Sequence, residues 1–126
     1  MKKEQYIQFH KDSCQKLIDI TAKKNADYTG VSDDAFANFR QIAGLVGPRA
    51  GNMAGTGTVD MVAVGFVTRM SDKLSRVGSF VSKGELMVKD ESVQDTLLDL
   101  ANYCILFAGY LNQEAYAAQK QRPESP

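Results

Sequence analysis

Between Asp95 and Leu111 the chain reads DTLLDLANYCILFAGYL, apolar around almost the whole circumference of a helix. A helix with so little polar surface has to be covered by other helices or by a second subunit, which restricts the chain to a helical bundle and points to a homo-oligomer, dimer or tetramer. The start of this segment is marked by DESVQD. Ser92 and Asp95 have the spacing of a capping box, and Asp90 and Glu91 complement the positive end of the helix dipole.

Three further helices are expected upstream. Over residues 3–24, Tyr6, Phe9, Cys14, Leu17 and Ile20 recur at three to five positions with charged residues between them, the pattern of an amphipathic helix. NADYTG supplies its stop, with Asn25 and Gly30 as breakers and Ser32, Asp33 and Asp34 as caps for a shorter helix over 34–45 that buries Phe36, Phe39 and Ile42. The third helix, 59–83, has Met61, Val62, Phe66, Met70, Leu74, Val77 and Val81 on one broad buried stripe, Thr58 as its cap and Gly84 at its end. Residues 47–58, GPRAGNMAGTGT, carry four glycines and a proline and are expected to be a loop, with no strand anywhere in the chain. The expected organisation is one all-α four-helix domain over 1–118 and a disordered polar tail, 119–126.

Composition closes off several functions. Fifteen basic and fifteen acidic residues cancel, which argues against duplex nucleic acid or an anionic membrane as partner. No window is long and apolar enough for a membrane span, and the N-terminus lacks a secretion signal. Cys14 and Cys104 stand ninety positions apart with no Cys or His at ligand spacing, so a thiolate zinc site is not expected, both thiols are read as free, and the compartment is read as cytoplasmic. His10 lacks a nucleophile partner at any recognisable spacing. A small ligand or a protein partner remains.

Chemistry is expected where polar groups interrupt the apolar helix. Asp95, Asp99 and Asn102, at i, i+4 and i+7, stack oxygen-bearing side chains on one stripe. An inward carboxylate is costly unless a cation, a hydrogen-bond donor or a metal meets it. Arg69, Asp72, Lys73 and Arg76 repeat the same spacing on the third helix, and the two stripes can face each other. The alternatives are a cap for Asp95 and a structural salt bridge for Asp99. If the stripes hold Mg²⁺ or Mn²⁺, Asp72, Asp95, Asp99 and Asn102 are the ligands and Arg69, Lys73 and Arg76 neutralise phosphate oxygens. Lys24, Asp27 and Tyr28 at the exit of the first helix, and Asn38 and Arg40 on the second, are further candidate binding residues.

KNADY, NFR, TRMSDKLSRV and DESVQDTLLDLANYCILF together resemble the phage and bacterial family described as nucleotide-modification-associated, itself similar to the MazG-like all-α NTP pyrophosphohydrolases. The resemblance spans roughly residues 20–110. It implies an oligomeric helical bundle that binds Mg²⁺ and cleaves a (d)NTP between the α and β phosphates, with Asp72 and Asp99 as catalytic carboxylates, in the cytoplasm or the host cytoplasm of a phage. DLAN, Asp99–Asn102, is similar to that group's ExxD pair. RMSD, Arg69–Asp72, stands where ExxE is expected, so two of the four carboxylates are replaced, by Arg69 and Asn102. The alternatives are a nucleotide-binding or nucleotide-sequestering protein without turnover, and a structural or interaction bundle.

Overall fold

The structure is a computed structural model that describes the backbone of residues 1–29, 33–46, 49–51, 58–84 and 92–120, and the side chains of 1–24, 33–41, 59–84 and 92–115. It is predominantly helical, with four helices packed together: α1 (Lys3–Thr29), α2 (Ala37–Val46), α3 (Met61–Lys83) and α4 (Val93–Lys120). Ser32, Asp90 and Glu91, offered as caps or dipole partners, lie outside the described residues, as do the side chain of Ile42 and residues 121–126 of the tail.

Local signals explain the helix ends. Asp60 caps α3, its carboxylate accepting from the Val62 amide at 2.9 Å. Gly84 ends α3 with φ of 77°, a left-handed conformation in which a Cβ would be strained. At α4 the Asp95 amide donates to Ser92 Oγ at 3.1 Å and the Ser92 amide to Asp95 Oδ2 at 3.4 Å, closing the capping box. α1 extends to Thr29 and so runs through Asn25, expected to break it; Gly30, the other expected breaker, lies outside the described residues.

One expectation fails in the glycine-rich segment. Arg49–Gly51 (β1) pairs antiparallel with Thr58–Asp60 (β2), in the register Arg49↔Asp60, Ala50↔Val59, Gly51↔Thr58. Glycine and proline weaken central strands, but a two-stranded ribbon has only edges, and β-branched Thr58 and Val59 favour it. Because Val59 belongs to the strand, α3 starts at Met61, and Asp60 takes the capping role expected of Thr58. The connecting residues 52–57 lie outside the described residues.

The core sits where α2, α3 and α4 meet and is chiefly aromatic. Phe66, fully buried, stacks on Phe39 at 3.9 Å between centroids and on Phe107 at 4.9 Å, while Phe36 meets Tyr110 edge-on at 5.6 Å. Gly65 lets α2 approach closely, since a Cβ there would stand 3.1 Å from the Phe39 ring. α1 lies against α4 and α2 and buries Leu17.

The expected stripes are buried only in part. Tyr6 and Phe9 of α1 are exposed, and Leu74 and Val81, expected in the core, are 61% and 78% exposed. On α4, Leu97, Cys104, Ile105 and Leu111 are exposed as well. These positions on α3 and α4 are not covered by other described residues. Among the described residues no helix is long and apolar enough to cross a membrane, and both cysteines are free and exposed.

Candidate functional site

A cavity of about 230 Å³ opens between α1, α2, α3 and α4. Its apolar wall is Phe39, Tyr103, Ile105 and Leu106; its polar groups are Thr21 and Lys24 of α1, Asn38 of α2, Arg69 of α3, and Asp99 and Asn102 of α4. Helical phase explains the convergence. Thr21 and Lys24 are one turn apart on α1, as are Asp99 and Asn102 on α4, so each pair projects from one face of its helix.

Asp99 is the electrostatic centre. Its Oδ1 accepts from Lys24 Nζ at 3.0 Å and its Oδ2 from Lys73 Nζ at 3.1 Å, with the carboxylate side chain 15% exposed. Burial pushes its pKa up, but the two ammonium groups outweigh burial and hold it below the ordinary 3.8. Beside it, Thr21 Oγ1 donates to Asn102 Oδ1 at 3.2 Å and Asn102 Nδ2 donates to the Leu17 carbonyl at 3.4 Å. These contacts lock the Asn102 amide and tie α1 to α4 at the cavity.

The other sequence candidates lie elsewhere. Asp72 is exposed on α3 and does not line the cavity. Asp95 is exposed, engaged in the cap, and 4.0 Å from Lys16. Arg76 is half-buried on α3 outside the cavity wall. Arg40 does not line the cavity: its Nε donates to Asp34 Oδ2 at 2.8 Å and its guanidinium lies 5.7 Å from the Tyr110 ring centre and 3.9 Å from Glu114. The side chains of Asp27 and Tyr28 lie outside the described residues. Sequence reasoning did not single out Thr21, which only its place one turn before Lys24 would have suggested, nor Tyr103 and Leu106 as cavity wall.

The donor set among the described residues does not by itself fit a resident divalent cation. Of the four proposed ligands, only Asp99 and Asn102 reach the cavity, and both Asp99 oxygens already accept from ammonium groups. Among the described residues, no three of His, Cys, Asp and Glu gather in a way that would hold a metal ion. Magnesium favours carboxylates supplemented by phosphate oxygens and water, and among the described residues one charge-neutralised carboxylate would face it.

Residues 60–108 match the family model described as nucleotide modification associated domain 1. This stretch is α3, the α3–α4 connection and the first half of α4, and it supplies Arg69, Lys73, Asp99, Asn102, Tyr103, Ile105 and Leu106 to the site. No curated protein and no solved structure matches the chain.

Proposed function

We propose that the chain binds a nucleotide, with the base against the aromatic and aliphatic wall and the phosphates at the cationic rim. The observation that carries this reading is the juxtaposition, in one cavity, of Phe39, Tyr103 and Leu106 with Lys24, Arg69 and Asp99, whose second oxygen accepts from Lys73 behind the wall. An aromatic wall offers stacking to any base, and lysine and arginine beside it offer charge-assisted hydrogen bonds to phosphate. Asn38, half-buried on the wall, adds an amide able to read a base edge. The family match over 60–108 supports a role connected with nucleotides.

In this reading Asp99 holds Lys24 and Lys73 extended toward the cavity. A phosphate arriving there competes with the carboxylate for the two ammonium groups, and Arg69 completes the rim. Calorimetric titration with a nucleoside and its mono-, di- and triphosphates tests it. Affinity should rise with phosphate number, and Lys24→Ala and Arg69→Ala should weaken the triphosphate while leaving the nucleoside nearly unchanged. Absence of binding by every nucleotide, or equal losses for nucleoside and triphosphate, would sink the proposal.

Hydrolysis between the α and β phosphates is a second reading, favoured by the resemblance of Asp99–Asn102 to the ExxD pair and by the presence of both residues in the cavity. It requires pyrophosphate release when nucleotides are incubated with Mg²⁺ or Mn²⁺. Binding without release leaves a sequestering protein.

A further inference from the structure

Asn102 is the point at which α4 takes hold of α1. Its Nδ2 donates to the Leu17 carbonyl at 3.4 Å, and its Oδ1 accepts from Thr21 Oγ1 at 3.2 Å. Chemistry settles this orientation. A backbone carbonyl only accepts, so the amide nitrogen must face Leu17 and the amide oxygen Thr21. Leu17 and Thr21 stand four residues apart on one face of α1, so a single amide grips one turn of that helix. Little else fixes how α1 is rotated about its own axis. Leu17 is its one buried side chain among the described residues, and the Lys16–Asp95 pair is exposed and 4.0 Å long.

The gripped face also carries Lys24, one turn beyond Thr21, and its Nζ meets Asp99 Oδ1 at 3.0 Å, one turn before Asn102 on α4. Rotating α1 by about 20° would move a group about 6 Å from the helix axis by about 2 Å, enough to break that bond. Lys73 reaches the same carboxylate from α3 and does not depend on α1.

We propose that Asn102 is a positioning residue: its amide clasps the Leu17–Thr21 turn and so sets the Lys24 ammonium at the phosphate end of the cavity. This rests on the nucleotide reading above, and it gives Asn102 a role different from the metal ligand that the resemblance implies. Asn102→Asp tells the two roles apart. A carboxylate facing the Leu17 carbonyl is repelled and opens the clasp, whereas a magnesium site would gain an anionic ligand.

The full chain allows two readouts, of which the first needs no nucleotide. An ammonium bonded to a carboxylate gives up its proton reluctantly, so an amine-acylating ester should modify exposed Lys23 quickly and Lys24 and Lys73 slowly, as followed by mass spectrometry. In Asn102→Leu, Lys24 should react as fast as Lys23 while Lys73 stays slow. Unchanged reactivity of Lys24 overturns the proposal, and so does equal acceleration of Lys24 and Lys73, which would report a general loosening. The second readout is calorimetric titration with the ribo- and deoxyribonucleoside triphosphates, with and without Mg²⁺. Asn102→Leu should weaken the tightest complex about tenfold, as Lys24→Ala does, and the double variant should be no weaker than either single one. Additive losses overturn the clasp, as does tighter binding by Asn102→Asp in Mg²⁺. A wild type that binds none of these triphosphates sinks the nucleotide reading, and the acylation of Lys24 then decides the clasp by itself.

Discussion

Replacing Asp99 with Asn should destabilise the chain and tighten its hold on polyphosphate. The carboxylate is 15% exposed and accepts from two ammonium groups at 3.0 and 3.1 Å. The amide keeps one acceptor oxygen and loses the charge. Lys24 is 38% and Lys73 20% exposed, so both ammonium groups can turn toward water and the full penalty of breaking a buried ion pair does not apply. The net loss should be about 1.5 kcal/mol, or about 5 to 8 °C in Tm for a chain of this size. A phosphate resting on the same lysines lies about 6 Å from the carboxylate, two hydrogen-bond lengths away. Removing one unit of repulsion at that distance contributes about 0.7 to 1.4 kcal/mol per phosphate charge at an effective dielectric of about 80 down to 40, a three- to tenfold gain. Differential scanning calorimetry and titration with inorganic triphosphate at two salt concentrations read both effects. A weaker triphosphate complex would refute the reasoning, because it would mean that Asp99 itself holds the ligand or a cation bound with it. An unchanged complex beside a lowered Tm would mean that the lysines serve only the fold.

The acid limb of stability should carry the same pair. The folded pKa of Asp99 lies below its ordinary 3.8, so its contribution is complete above that value and is lost as pH falls through the folded one; the Tm gap between wild type and Asp99→Asn should therefore close on acidification below pH 3.8. At the other end of the bundle, Tyr110 donates to Asp60 Oδ2 at 2.5 Å while Asp60 Oδ1 caps α3. Asp60→Ala removes both bonds and should cost about 2 to 3 kcal/mol by urea denaturation, and Tyr110→Phe, which spares the cap, about half of that. Equal costs would show that the cap contributes nothing.

Local features of the fold were legible, and long-range pairings were not. The Ser92–Asp95 box, the Gly84 stop and the helical periods of α1 to α4 are written in neighbouring residues, where cap chemistry and side-chain phase act within one or two turns. The inward position of Asp99 was legible too, since it lies beyond the cap on an apolar helix. That Lys24, seventy-five positions upstream, meets it depends on how α1 lies against α4, which no local pattern encodes. Arg40 shows the converse. NFR reads as a binding motif, yet the carboxylate six residues before it in the chain and the Tyr110 ring claim the guanidinium. Periodicity puts Leu74 and Val81 in the core because it reports that a face is apolar without reporting what covers it.

The course of α1 divides one continuous helix into two regimes of motion. Leu17 is its first buried residue, and up to Gln15 the side-chain bonds among the described residues are local: Gln8 to Asp12, Gln15 to Asp19, and the Cys14–His10 contact; the exposed Lys16–Asp95 pair at 4.0 Å is the first to reach α4. A helical segment of about a dozen residues without tertiary support is marginal in water. Amides over residues 6–14 should therefore exchange with solvent deuterium orders of magnitude faster than those of α3 around Phe66, with protection rising steeply between Leu17 and Lys24. The ammonium group of Lys24 is thus held by the slow-exchanging part of a helix whose other end opens and closes freely, and motion at the N-terminus can proceed without disturbing the cavity.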